Sequence, residues 1–100
     1  MTNPAPVNVP LILSEVEGYL DLVMVLADRF ELEVPARDRI ARRILTSLEQ
    51  VPGEGEYKVE RLYYRGEAFR VMERYEEAVE SLQQAAQIHP DQVHIWLAIG

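Results

Sequence analysis

The chain has 100 residues, 48% of them hydrophobic, and a formal net charge of -7 from 17 acidic and 10 basic side chains. That length supports one small core, and the acidic balance argues against general binding to nucleic acid or to an anionic membrane, which needs a surplus of Lys and Arg. A basic or neutral protein surface is the expected partner, and the absence of cysteine excludes disulfides, thiolate metal sites and cysteine nucleophiles and fits a reducing, cytoplasmic setting.

The first ten residues hold three prolines and no Lys or Arg, which is neither a signal peptide nor a transit peptide; residues 1–12 are expected to form a flexible tail. A first helix is predicted over about 14–30, with a start near Asn8 as the alternative, because either Asn8 or Ser14 can cap it. Ser14 followed by Glu17 has the spacing of a capping box. Val16, Leu20, Val23, Ala27 and Phe30 recur on one helical face. Tyr19, Leu22, Val25 and Leu26 are apolar as well, and a helix apolar nearly all round is buried on two sides or covered by a partner. Gly18 within it costs about 1 kcal/mol relative to Ala unless close packing explains it. The most apolar run, 19–27, contains Asp21 and falls well short of the roughly 20 residues a bilayer span requires.

A second helix is predicted over 35–50, opened by Pro35 in its first turn and carrying Ile40, Ala41, Ile44, Leu45 and Leu48 as its buried stripe. The segment VPGEGEY, 51–57, then stops it, so 13–51 reads as an amino-terminal helical hairpin. A third helix at about 57–72 and a fourth at about 75–88 form a second hairpin. Gly66 and Ala78 remove bulk where their axes converge, and Phe69, Tyr75 and Leu82 are expected to fill the space on either side. Pro90 should end the fourth helix at His89. A partial fifth helix is predicted at 93–100. With no convincing strand, the expected fold class is all-α.

Leu62, Gly66, Ala68, Phe69, Tyr75, Ala78, Leu82, Ala85 and Pro90 stand at spacings that resemble the tetratricopeptide repeat family, within a unit of about 34 residues at 59–92. Trp96 and Gly100 restate Leu62 and Gly66 one period later. The resemblance covers about two fifths of the chain. It implies a repeat at 56–92, a truncated first helix of a second repeat at 93–100, and a short α-solenoid of stacked antiparallel hairpins. On this reading the chain is a fragment of a protein that continues. The hairpin at 13–51 would cap the first repeat, with a degenerate repeat as the alternative, since terminal units of a solenoid must cover its apolar end. Two positions depart from the pattern. Arg65 stands where leucine is common, which suggests a looser contact on that face. Glu73 stands where a turn glycine is common, which suggests a turn made without positive φ.

In this family the first helix of each repeat lines a concave groove, and the resemblance places Glu60, Tyr63, Glu67, Arg70, His94 and Leu97 on it. Tyr63 supplies the large amphipathic contact typical of interfaces. The mixture of Glu and Arg does not match the Lys and Asn arrangement by which some relatives clamp a terminal carboxylate. The expected function is a protein–protein interaction module, a scaffold or adaptor that takes a peptide or partner helix. The alternatives are a secretion-type repeat chaperone, suggested by the apolar first helix, and the regulatory module of a larger enzyme. A homodimer through the first helix or through the Trp96 end is a further expectation.

Other constellations read as ordinary surface. The run ARDRIARR, 36–43, brings Arg39, Arg42 and Arg43 to one helical surface, but it lacks interleaved aromatics and Asp38 is placed to pair with Arg42. His89, Asp91 and His94 lack the spacing of a metal site and a third convincing ligand. There is no nucleophile–base–acid set, phosphate loop or cofactor motif, so neither catalysis, metal nor cofactor is expected.

Overall fold

Asn8 sets where the first helix begins. In the computed structural model, which describes residues 7–29 and 34–90, its side-chain Oδ1 accepts the N–H of Leu11 at 3.1 Å and its carbonyl accepts that of Ile12 at 3.1 Å. These bonds satisfy two amide donors of the first turn, and Pro10 sits in that turn, where its missing N–H costs nothing. Helix α1 therefore spans Val9–Arg29 and starts inside the stretch assigned to the tail. The Ser14–Glu17 capping box does not form, because Ser14 lies in the helix interior rather than at its start.

Helix α2 spans Val34–Leu48, α3 Lys58–Val71 and α4 Tyr75–Ile88, so the described residues are helices and connections without a strand. Each of these three starts and ends within two residues of the predicted bounds. The partial helix at 93–100 and Phe30 lie outside the described residues.

Helix α3 is central and packs against each of the other three. Its Ala68 joins Ile12 and Val16 of α1, Ala41, Ile44 and Leu48 of α2, and Val51 of the linker in the main core, with Tyr64, Val71 and Met72 packed at its margin. Val51 shows why the linker is ordered: the residue before Pro52 is 2% exposed and its N–H returns to the carbonyl of Leu48 at 3.0 Å. Arg61 of α3 donates from Nε to the same carbonyl at 3.1 Å, closing the end of α2 with a cationic donor.

A second cluster joins Val59 and Leu62 at the start of α3 to Ala85 and Ala86 at the end of α4; the two helices are thus antiparallel. Their closest approach is at Gly66, where an added Cβ would lie 2.7 Å from Cγ of Leu82 and 3.2 Å from the carbonyl oxygen of Ala78. Phe69 and Leu82 are buried beside it as expected, whereas Tyr75 is 59% exposed. Tyr75 opens α4, and its ring lies outside the interhelical space.

The turn between α3 and α4 also differs from expectation. Glu73 adopts φ 61°, so the left-handed conformation usually supplied by glycine is present without the glycine. The N–H of Glu73 bonds the Arg70 carbonyl at 3.0 Å, and that of Arg74 reaches back to the Phe69 carbonyl at 2.9 Å. This double bond pattern is the Schellman arrangement, which requires a left-handed residue at that position. At the other end of α4, His89 leaves the helix at φ -130° and ψ 75°, outside the helical region that Pro90 disfavours for the residue before it.

Candidate functional site

Glu60, Tyr63, Glu67 and Arg70 follow one another along a single strip of α3, three or four residues apart. The fold places this strip beside α1. The rings of Tyr63 and Tyr64 meet edge to face, with centroids 5.4 Å apart and planes at 64°. Tyr63 leans on the cluster of Val59, Leu62, Ala85 and Ala86, while Tyr64 leans on the core shared with α1 and α2. Both rings are half-buried, leaving part of each aromatic surface open.

Carboxylates from two helices act electrostatically on this pair. Burial raises the Tyr63 phenol, the negative charges of Glu67 and Glu17 raise it further, and Arg70 opposes them. Burial also raises the Tyr64 phenol, followed by Glu17, Tyr63, Glu60 and Asp21. Glu17 and Asp21 belong to α1, so the acidic surroundings of the tyrosines are assembled by the crossing of α1 over α3.

Glu67 is the fixed member. Its side chain is 13% exposed, and its Oε2 accepts from Arg70 Nη2 at 2.5 Å. Burial holds its carboxyl above the usual range, with the Arg70 charge and hydrogen bond pulling the other way. Its Oε1 is buried and makes no hydrogen bond among the described residues. The ion pair spans one helical turn and holds the half-exposed Arg70 guanidinium at the end of the strip. The resulting surface combines half-buried aromatic rings, which attract cations through the ring quadrupole, with the exposed carboxylates of Glu17, Asp21 and Glu60.

Four of the six expected site residues therefore share this strip, and His94 and Leu97 lie outside the described residues. Glu17, Asp21 and Tyr64 were missed. Tyr64 is signalled by its adjacency to Tyr63. Glu17 and Asp21 carry no such local signal, because only the packing of α1 on α3 brings them there.

The other charged surfaces are organised differently. Arg37 approaches Glu73 at 3.9 Å, tying α2 to the α3–α4 turn. Asp38 makes no ion pair with Arg42 among the described residues; the Arg42 carbonyl instead accepts the Thr46 hydroxyl at 2.9 Å. On the face of α3 away from the strip, the guanidinium carbons of Arg65 and Arg74 lie 5.5 Å and 5.3 Å from the centre of the Phe69 ring. Arg65 is exposed and separates two shallow hollows of about 250 Å³ and 210 Å³. An arginine at this position is accommodated because it stacks on Phe69 at the surface rather than entering the core.

No protein-family model, no curated protein and no solved structure matches the chain.

Proposed function

We propose that the chain is a non-enzymatic interaction module of the tetratricopeptide repeat type, whose strip between α1 and α3 takes a peptide or helix of a partner protein bearing Lys or Arg. The observation that carries this reading is the convergence of Glu17 and Asp21 from α1 with Glu60, Tyr63, Tyr64 and the Glu67–Arg70 pair on α3. Half-buried tyrosines supply contact area at low conformational cost. The surrounding carboxylates favour a cationic ligand and speed its approach. Support for the repeat family comes from the residue spacing at 59–92 and from the close fit of Gly66 against Leu82 and Ala78.

A scaffold or adaptor role follows from a surface that recognises without reactive groups. No helix among the described residues is long and apolar enough to cross a membrane, and the cysteine-free composition supports a reducing, cytoplasmic compartment. The test is peptide binding by fluorescence anisotropy, using basic peptides selected from a random display library on the full chain. Tyr63→Ala with Glu60→Gln should weaken binding while leaving helicity by circular dichroism unchanged. Retained affinity in that variant overturns the assignment of the strip.

A further inference from the structure

The carboxyl of Glu67 is only half satisfied. Arg70 reaches its Oε2 from Nη2, while Oε1 is buried without a hydrogen bond among the described residues. A buried acceptor without a donor leaves unreplaced the hydration it had in water. Burial holds this carboxyl above the usual range even though the Arg70 charge pulls it down, so one half-exposed guanidinium on the same helix leaves the site short of positive charge.

The Glu67–Arg70 pair is also easy to part. Its members stand three residues apart on one helix, where ion pairs add little, and the Arg70 side chain is 47% exposed, so water can take up its charge when it leaves. The last torsion of a glutamate side chain is soft, which lets the carboxyl turn both oxygens outward. A guanidinium supplied by another molecule then meets them as a fork, with two parallel N–H bonds to two oxygens. An ammonium is a point charge and makes no such match. Exchanging a contact to one oxygen for a contact to both favours an incoming arginine over Arg70 itself.

We propose that Arg70 is a built-in competitor at Glu67, displaced when an arginine side chain of the partner pairs with that carboxylate. The inference rests on the reading of the strip as a surface for a basic segment, and it narrows the ligand from Lys or Arg to arginine. Arg70 acts as a filter: a cation that cannot engage both oxygens leaves the internal pair closed.

The test is an NMR titration of the full chain with Nα-acetylarginine amide and, separately, Nα-acetyllysine amide, read at the Glu67 carboxyl carbon and the Arg70 guanidinium nitrogens. The arginine probe should move both signals at concentrations where the lysine probe moves neither; this arm uses the unaltered chain and does not depend on how any variant folds. Arg70→Gln should tighten binding of the arginine probe about three- to tenfold, and the same change in a Glu67→Gln background should leave its affinity unaltered. That background separates exchange from a general loss of positive charge, which would raise affinity in both. Signals that stay still with the arginine probe, an equal response to the two probes, an Arg70→Gln variant that binds no tighter, or an equal gain with and without Glu67 overturns the proposal. The strip is tested separately by Tyr63→Ala with Glu60→Gln, which keeps Glu67 and Arg70 in place, so weakened peptide binding there beside a failed Glu67–Arg70 test removes the exchange and retains the strip.

Discussion

Gly66 and Leu82 are in mutual steric contact through the absence of one methyl group. The missing Cβ would stand 2.7 Å from Leu82 Cγ, and Leu82, at 1% exposure, has no open direction in which to move. Gly66→Ala should therefore lower stability by about 1–3 kcal/mol through overpacking, even though alanine is the better helix former. Urea denaturation checks this, with a lower midpoint and an unchanged slope as the expected result. A more stable variant would show that α3 and α4 separate without cost.

Glu73 pays a conformational cost that glycine would not. A left-handed conformation disfavours a residue with a Cβ by roughly 1–2 kcal/mol, and the neighbouring Arg37 contact at 3.9 Å is too exposed and too long to offset much of it. Glu73→Gly should raise stability by about 0.5–1 kcal/mol after the larger chain entropy of unfolded glycine is deducted. Thermal unfolding of the two proteins side by side decides the sign, and a fall in midpoint contradicts the account of the turn.

Asn8→Ala removes the acceptor for the Leu11 amide and should cost about 1 kcal/mol. The loss should be local at first. Hydrogen exchange by NMR should speed up at Leu11 and its neighbours in the first turn of α1, while amides of α4 keep their protection.

The buried Glu67 carboxyl gives the stability a definite pH dependence. Burial raises its folded pKa, with Arg70 opposing, so the folded chain holds the proton to a higher pH than the unfolded chain does. Stability contributed at this site is consequently greatest in acid and declines as pH rises from about 4.3, the unfolded value, through the higher folded value. Glu67→Gln does not titrate, so the stability of the wild type relative to this variant should fall across that window. Denaturation midpoints measured at a series of pH values provide the check, and a difference that stays constant contradicts the raised pKa.

The parts of this molecule that sequence makes legible are those set by neighbours along the chain. The period of Ile40, Ala41, Ile44 and Leu48 marks the buried stripe of α2, Pro90 marks the end of α4, and the pairing of Gly66 with Ala78 marks where two helices meet. What escapes is decided by competition or by tertiary contact. Asn8 and Ser14 both offer caps, and the earlier one prevails because Asn8 caps the first turn and the helix then continues through Ser14. Glu73 takes positive φ because two backbone hydrogen bonds hold it there. Tyr75 looks like a core aromatic in the repeat pattern yet lies at the surface. Glu17 and Asp21 become part of the candidate site only through the packing of α1 on α3, which periodicity within either helix cannot express.

The central claim, that the strip between α1 and α3 is the binding surface for a cationic partner segment, is most directly tested by NMR titration of the full chain with a peptide selected from a random display library. The account predicts enrichment of Lys- or Arg-bearing peptides and chemical-shift changes concentrated at Glu17, Asp21, Glu60, Tyr63, Tyr64, Glu67 and Arg70. Enrichment of acidic peptides, or shifts confined to the Arg65–Phe69 face or to α4, would contradict it.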